Sequence, residues 1–205
     1  MINPQIQDRR PRPAVAGRRV VLRDGSQVLV RQVQAADAPL LADGFARLSD
    51  RSRRMRFLTR KDQLSAAELR YFTDIDHHDH EALGALSPGG RGVGVARYVR
   101  DTADPHAAEL AVTVVDEWQG RGLGTALVAQ LSARARQAGI ARFTALAAAG
   151  NTAVAALLRG AGAELTGYGP GTVEYQIDLT AGGELPCDQP PSGGHRRSWL
   201  APLAG

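Results

Sequence analysis

The alternation of apolar and polar positions predicts two hairpins in the first half of the chain. Residues Arg19–Leu22 and Gln27–Gln32 read as strands on either side of the turn dipeptide Asp24-Gly25. Residues Glu81–Leu86 and Gly92–Arg100 form a second pair, with a glycine-rich segment between them. No helical pattern follows those glycines, so they are interpreted as a hairpin turn.

Helical spacing of apolar residues predicts three helices between these hairpins. Ala36–Leu48 has apolar side chains on one face, and Asp50–Phe57 is a short arginine-rich helix. Ser65 and Glu68 have the spacing of a capping box, in which each side chain accepts a backbone N–H of the other residue. We expect the helix that they begin to end near Thr73.

The second half of the chain is built around one strand, loop and helix. Glu109–Val115 alternates cleanly, so its side chains divide between two faces. One face holds Leu110, Val112 and Val114, and the other holds Glu109, Ala111, Thr113 and Val115. The following helix has an apolar stripe of Leu123, Leu127, Leu131 and Ala135, and Gly139 lies where its C-terminal stop belongs.

Three further strands and one helix complete the pattern. Arg142–Ala148 reads as a strand, and Asn151 as the N-cap of a helix that ends near Gly160–Gly162. Residues 163–168 and 172–179 read as the last two strands. The order of elements predicts a mixed α/β (α+β) domain over residues 19–180.

Composition separates this domain from its two ends. Residues 1–18 are polar and rich in Arg and Pro, which predicts a disordered basic arm, and the Gly/Pro-rich residues 181–205 predict a flexible tail. Residues 20–180 contain 17 arginines and one lysine against 18 acids, so the excess positive charge lies in the arm. A nucleic-acid reader would need a basic stripe on the folded part, so nucleic acid is not favoured as a partner.

Neither a membrane nor an oxidising compartment is indicated. No apolar run approaches the ~18 residues that cross a bilayer, and the first thirty residues contain no apolar signal segment. The single cysteine, Cys187, cannot form an internal disulfide or a cysteine-based metal cluster. We therefore expect a cytoplasmic protein; the sequence does not indicate its oligomeric state.

Gln119–Thr125 is the segment with the clearest chemistry. Gly120, Gly122 and Gly124 alternate at the start of a helix, where backbone N–H groups and the helix dipole favour an anion. A pyrophosphate suits such a loop. The Gly-Lys-Ser/Thr ending of a nucleoside triphosphate loop is missing, and the glycine spacing does not fit a dinucleotide fingerprint.

The segment Gln119-Gly120-Arg121-Gly122-Leu123-Gly124 resembles the coenzyme A-binding motif of the GNAT N-acetyltransferases. Asn151 and the helix after it resemble the next block of that family, with Ala163 in place of its aromatic residue. The resemblance covers about residues 27–179. It implies the GNAT fold, a mixed and mostly antiparallel sheet flanked by helices, and acetyl-coenzyme A as the co-substrate. It places the cofactor against Gln119–Thr125, Asn151, Val114 and Val115, with no metal.

A narrower resemblance points to the acetyltransferase module of bacterial protein lysine acetyltransferases. It rests on Arg47-Leu48-Ser49, Arg56-Phe57, Asp76–Leu83 and Ala108–Val112. Enzymes of that group acetylate a lysine of acyl-CoA synthetases and so inactivate them. The resemblance implies a protein substrate with a target lysine, and an acyl-CoA synthetase is one candidate for it.

Glu109 is the candidate general base, acting directly or through a water. It is an acid at the start of an otherwise apolar strand, and it aligns with the catalytic glutamate of the protein acetyltransferases. The family also implies that the backbone N–H near Val114 stabilises the thioester oxygen. Many relatives have a tyrosine acid on the Asn-led helix; this chain has Leu157 and Leu158 there, and Tyr98 or Tyr168 is a possible substitute.

Two other motifs have ordinary interpretations. Asp76-His77-His78-Asp79-His80 contains metal-ligand residue types, but neighbouring side chains on an extended segment diverge, so a polar loop near the acceptor site is preferred. Arg51, Arg53, Arg54 and Arg56 either recognise an acidic protein surface or form a solvated helical face.

Three other functions stay open. A small-molecule amine could be the acceptor, which a closed pocket would favour over an open groove. The domain could instead be a non-catalytic acyl-CoA sensor, and then Glu109→Gln would have no transfer activity to abolish. Nucleic-acid binding through the arm would depend on salt and be lost without residues 1–19.

Overall fold

The computed structural model describes residues 17–180. Within them, eight strands form one sheet: β1 (Arg18–Val21), β2 (Gln27–Gln32), β3 (His80–Leu86), β4 (Gly92–Arg100), β5 (Ala107–Val114), β6 (Arg142–Ala148), β7 (Ala163–Gly169) and β8 (Thr172–Asp178). The helices are α1 (Ala38–Ala46), α2 (Asp50–Phe57), α3 (Ala66–Thr73), α4 (Leu123–Gln137) and α5 (Thr152–Gly160). Short 3-10 turns span Ala35–Asp37 and Asp116–Trp118.

The sheet has the strand order β1-β2-β3-β4-β5-β6-β8-β7, and its one parallel pair is β5–β6. That pair is short, because its register begins at Ala107↔Arg142 and ends at Glu109↔Thr144. The ladder between β5 and β4 continues to Val114. The two parallel strands therefore diverge after Glu109, and a gap opens along the second half of β5. The predicted fold class, a mixed and mostly antiparallel sheet flanked by helices, is confirmed.

One face of the sheet is covered by α4 and α5 and carries the main apolar core. The predicted stripe of α4 is confirmed: Leu127, Leu131 and Ala135 have no exposed surface. They pack with Tyr98 and Phe143 of the sheet in one cluster, whose two rings lie 5.8 Å apart between centroids. Dense packing of this kind is the main source of stability in such a domain.

The other face is covered by α1, α2 and α3. The predicted capping box begins α3: the Ser65 hydroxyl accepts the Glu68 N–H at 3.2 Å, and the Glu68 carboxylate accepts the Ser65 N–H at 2.8 Å. Phe45 of α1 packs edge-on against Phe57 of α2, with 5.6 Å between ring centroids. Side chains of β5 that point to this face line cavities beneath the three helices.

The helix predicted over Ala36–Leu48 differs in detail. The chain first forms the 3-10 turn, and α1 begins at Ala38 with Pro39 in its first turn. Proline has no N–H and a fixed φ, so it fits the start of a helix and not its interior. Asp37 before it is buried, and its carboxylate binds the guanidinium of Arg31 and the N–H of Gln34.

The first strand was predicted to begin at Arg19, and β1 begins one residue earlier, at Arg18. The rest of the predicted arm, residues 1–16, and the predicted tail, 181–205, lie outside the described residues. Within residues 17–180, none of the helices combines the length and the apolar character needed to cross a membrane.

Candidate active site

The loop before α4 has the backbone of an anion site. Gly120 and Gly122 have φ of 74° and 88°, a region that residues with a side chain rarely adopt. Gly122 is the N-cap of α4 and offers no side-chain acceptor. The N–H groups of Leu123, Gly124 and Thr125 begin the helix and have no acceptor within it. This end of α4 is therefore ready to bind an anion.

The three glycines of the loop serve different purposes. A Cβ on Gly124 would lie 3.1 Å from the Leu157 side chain, so this glycine allows α4 to approach α5. A Cβ on Gly122 would lie 3.1 Å from the Arg23 side chain. A Cβ on Gly120 would meet no atom within 4 Å. Gly120 is thus required for its backbone conformation alone.

The side chains of Gln119 and Arg121 hold the loop in place. Gln119 Nε2 donates to the Val114 carbonyl oxygen at 3.0 Å and to Ser52 Oγ at 3.3 Å. The Arg121 guanidinium donates to Asp24 Oδ2 at 3.1 Å and to the Glu117 carbonyl oxygen at 2.7 Å. Both side chains bind protein groups, so a role for Arg121 in gripping phosphate stays a prediction.

Asp116 is a structural residue of the site that sequence reasoning missed. Its carboxylate accepts the Ser49 N–H at 3.0 Å and the hydroxyls of Ser49 and Ser52 at 2.7 and 2.8 Å. Burial tends to raise the pKa of Asp116, but these hydrogen bonds outweigh it and hold the pKa below its usual value. Ser49 is also the N-cap of α2. Asp116 therefore joins the loop before α4 to the start of α2.

The open edge of β5 leads directly to this loop. Val115 N–H donates to the Val93 carbonyl oxygen of β4 at 3.0 Å. Because successive N–H groups of a strand point to opposite edges, the Val114 N–H points to the β6 side, where the ladder has ended. Of the two residues predicted to bind the cofactor here, Val114 has its amide directed into the gap. The Val115 amide already donates its hydrogen bond to β4.

Glu109 lies at the start of the same strand and faces the helices. It lines a small cavity with Arg56, Tyr71, Phe72, Arg97, Val99 and Ala111. The predicted division of β5 is confirmed: Glu109 and Thr113 line cavities, whereas Leu110 belongs to the core beneath α4. The five residues from Glu109 to Val114 span about 16 Å at ~3.3 Å per residue. The Glu109 carboxylate therefore does not contact the Val114 amide directly.

A larger cavity adjoins the small one. It has a volume of about 90 Å³, and its walls are mostly apolar, with Phe45, Phe57 and Leu64 among them. The two cavities share Arg56, Phe72 and Arg97. A water needs ~10–15 Å³ of such space, so the larger cavity has room for a group of several heavy atoms.

The two shared arginines are the main feature that sequence reasoning missed. Arg56 Nε donates to Thr113 Oγ1 at 3.0 Å, so Arg56 points inward and the hypothesis of a surface role is wrong for it. Arg97 is 5% exposed. Burial lowers the pKa of Arg56 to about 10, and burial together with the Arg56 charge lowers that of Arg97 to about 9. A signal existed for Arg97, which occupies an inward position of an alternating strand.

The proposed substitute acids, Tyr98 and Tyr168, lie away from this site. Tyr98 is buried in the core beneath α4 and donates to the His78 carbonyl oxygen at 3.0 Å, and burial raises its pKa to about 12. Tyr168 is 79% exposed on the edge strand β7. Tyr71 is the tyrosine that lines the small cavity with Glu109. Burial raises its pKa as well.

Asn151 caps α5, as predicted, through its Oδ1, which accepts the Val154 N–H at 3.1 Å. A contact with the cofactor remains a prediction. The histidines after Asp76 diverge as expected: His77 contacts Glu81, His78 contacts Asp79, and His80 contacts Arg97. Within residues 17–180, His, Cys, Asp and Glu side chains form no group of three or more that could hold a metal ion.

Residues 46–163 match the model of the Acetyltransferase (GNAT) family. The chain is 30% identical over 164 residues to Acetyltransferase Pat of Mycolicibacterium smegmatis, which covers 78% of this chain and 48% of that protein. It is 33% identical over 136 residues to Acetyltransferase PA5475 of Pseudomonas aeruginosa, which covers 65% of this chain and 73% of that protein.

A solved structure is similar over most of the described fold. The crystal structure of the GNAT domain of PAT from S. lividans has a TM-score of 0.76 and 34% identity, and the match covers 82% of this chain and 99% of that one. The match thus includes nearly the whole of that separately solved domain. It spans about half the length of the Mycolicibacterium relative.

Proposed function

Because the chain belongs to the GNAT acetyltransferase family, we propose that it transfers the acetyl group of acetyl-coenzyme A to a protein lysine, with Glu109 as general base. The observation that carries this proposal is the arrangement of β5. Glu109 lies where β5 still pairs with β6, Val114 lies at its open edge, and the anion loop follows directly. One strand thus leads from the donor's phosphates to the base.

The donor is held by backbone groups. Its pyrophosphate lies on the N–H groups at the start of α4, and its pantetheine arm passes through the gap between β5 and β6. The thioester oxygen accepts the Val114 N–H, which becomes a stronger hydrogen bond as negative charge develops on that oxygen. Gln119 supports this geometry, because its amide holds the Val114 carbonyl oxygen at 3.0 Å.

The reaction needs a neutral amine. A lysine with the reference pKa of ~10.4 is neutral in only about one molecule in a thousand at pH 7.4. Glu109 removes the proton through a water, and the amine nitrogen attacks the thioester carbon. The new C–N bond forms, the C–S bond breaks, and coenzyme A leaves as a thiolate. With a thiol pKa of ~8.5, the thiolate is a tolerable leaving group without a dedicated acid.

The relatives support a protein acceptor. Pat of Mycolicibacterium smegmatis and the PAT domain of S. lividans resemble this chain at 30% and 34% identity, and the sequence motifs resemble those of protein lysine acetyltransferases. A lysine of an acyl-CoA synthetase is the acceptor that this resemblance suggests. A cytoplasmic location follows from such a partner.

Donor binding can be tested without knowing the acceptor. Titration calorimetry with acetyl-coenzyme A should give a Kd in the micromolar range, and Gly122→Asp, which places a charge at the pyrophosphate, should abolish the heat. Gly139→Asp, at the other end of α4, is the matched control and should bind normally. Absence of binding by the wild type would refute the proposal.

The acceptor can be found by labelling. The protein is incubated with labelled acetyl-coenzyme A and a lysate of its source cells, and labelled proteins are identified. Label on a lysine, absent with Glu109→Gln, supports the proposal. Label on small metabolites alone would establish the small-molecule alternative, and binding without any transfer would favour the sensor.

A further inference from the structure

The small cavity beside Glu109 has an excess of positive charge. Its charged lining, counted over residues 17–180, consists of the guanidinium groups of Arg56 and Arg97 and the single carboxylate of Glu109. Tyr71 adds no charge near neutral pH, because burial raises its pKa. One positive charge is therefore left over beside the buried Arg97 and the partly buried Arg56, which is costly unless an anion joins it.

The nearby groups that hold the two arginines are largely neutral. Arg56 binds the Thr113 hydroxyl and lies 5.0 Å from the Phe57 ring centroid. Arg97 lies 4.2 Å from the Phe72 centroid, and its Nη1 is 3.2 Å from His80 Nε2. Burial lowers the pKa of His80 to about 4, so this ring is neutral and accepts the hydrogen bond.

The remaining charges of the larger cavity cancel each other. Arg31 and Asp37 both line it, and their side chains form a two-point pair with N–O distances of 2.5 and 2.7 Å. This pair needs no further partner. The unmatched charge is therefore confined to Arg56 and Arg97, which the two cavities share.

The arginines also lie next to the reaction centre. Arg56 contacts Thr113, the residue before Val114, and Arg97 is the register partner of Ala111 in β5. Both are thus placed between Glu109 and the amide proposed to hold the thioester oxygen. An acyl chain of a few carbons that starts at Val114 and turns toward α2 would extend in the direction of the Arg56 guanidinium, which contacts Thr113.

We propose that Arg56 and Arg97 bind the terminal carboxylate of a short dicarboxylic acyl group, so that the protein accepts succinyl-coenzyme A or a similar donor in preference to neutral donors of equal length. The inference rests on the proposed function, since it uses the same donor site and the same base. The transfer is balanced as for acetyl: the C–N bond forms, the C–S bond breaks, and the terminal carboxylate is unchanged.

Two donors of equal length provide the test. Succinyl- and butyryl-coenzyme A both carry four acyl carbons, and only the first ends in a carboxylate. Calorimetry with the wild-type protein should show succinyl-coenzyme A binding about tenfold tighter or more, as expected of charge-assisted hydrogen bonds. Equal or tighter binding of butyryl-coenzyme A would overturn the inference.

Variants locate the effect. Arg56→Gln and Arg97→Gln should each lower the preference for succinyl over butyryl, measured as the ratio of the two Kd values, by about tenfold. Arg70→Gln, an exposed arginine on α3, is the control and should keep the preference. If these substitutions unfold the protein, the ratio of the Kd values of the two donors for the wild type still tests the inference. An unchanged ratio in folded variants would overturn the inference.

Two other outcomes are distinguishable. If the arginines bind a carboxylate of the acceptor, Arg56→Gln raises the acceptor KM with acetyl-coenzyme A as donor, and the wild type shows no preference between the four-carbon donors. That result overturns the donor assignment. If free coenzyme A does not bind at all, the proposed function fails. If it binds without a succinyl preference, only this inference fails.

Discussion

The two faces of the sheet differ in the side chains that they carry and in how closely these pack. Beneath α4 the contacts are apolar and closely packed, and Leu127, Leu131 and Phe143 have no exposed surface. Beneath α1, α2 and α3 the sheet meets cavities that contain arginines and a glutamate. Both faces share β5, whose alternate residues point to one or the other.

This difference separates stability from chemistry. Close packing of apolar groups stabilises the fold, whereas buried charge beside empty space costs free energy and is kept where function requires it. We interpret the α4 face as the one that stabilises the fold and the α1–α3 face as the one that carries the proposed chemistry. Each of the following predictions tests that division, starting with the largest expected effect.

Replacement of Glu109 by Gln should mainly lower the rate. Loss of the general base is expected to lower kcat for acetyl transfer by about 10²- to 10⁴-fold, because the amine then has no proton acceptor. Binding of acetyl-coenzyme A, measured by calorimetry, should stay close to wild type.

The control for this variant is Glu164→Gln, at an exposed position of β7. It should leave kcat unaffected. A Glu109→Gln protein that transfers acetyl at the wild-type rate would remove Glu109 from the mechanism.

Substitutions on opposite faces should differ in stability. Leu127→Ala is expected to lower the free energy of unfolding by about 2–5 kcal/mol, since it leaves a cavity in a closely packed core. Arg56→Met should cost no more than about 1 kcal/mol, because a lost hydrogen bond is offset by removal of a partly buried charge. Denaturant titration measures both; equal losses would contradict the division.

Two glycines that lie just outside the two ends of α4 allow a matched comparison. Gly122 and Gly139 have similar φ values, 88° and 77°, so an alanine at either costs about 1–2 kcal/mol of conformational strain. Only at Gly122 would the new Cβ meet a neighbour, Arg23 at 3.1 Å. Gly122→Ala should therefore also weaken acetyl-coenzyme A binding in calorimetry, whereas an equal effect of Gly139→Ala would argue against a specific loop geometry.

Asp116 should give the smallest effect and the one that depends on pH. Its pKa is lower in the folded protein than its ordinary value of 3.8, so its contribution is complete above that value and is lost as the pH falls through the folded-state pKa. Because the carboxylate is partly exposed to solvent, we expect about 1 kcal/mol or less.

The measurement compares the wild type with Asp116→Asn. Their free energies of unfolding should differ at pH 6 and converge as the pH falls through the folded-state pKa of Asp116. A difference that persists unchanged at low pH would show that charge at Asp116 is not the cause.

The fold was predictable because its elements follow local rules. The period of β5, the stripe of α4 and the capping box at Ser65 are each decided by residues close together in sequence. The glycine loop before α4 was predictable for the same reason, as its glycines and the helix start are adjacent. The start of α1 was wrong because the pattern did not weigh Pro39 against the apolar positions before it.

The face that carries the cavities was less predictable because it is assembled from distant segments. Arg56 belongs to a helix of ordinary surface composition, and only the packing of α2 on the sheet turns it toward Thr113. Asp116 likewise binds Ser49 and Ser52 across more than sixty positions of sequence. Periodicity in one segment contains no information about such partners.

The junction at Asp116 has a consequence for how the two substrates communicate. Ser49 and Ser52 begin the helix whose inward side carries Arg56, and the loop that holds Gln119 binds the same Ser52. Under the proposed function, coenzyme A that orders this loop on binding would also order α2, and the two events would share free energy. By thermodynamic reciprocity, an occupant of the arginines would then change the affinity for coenzyme A by the same factor.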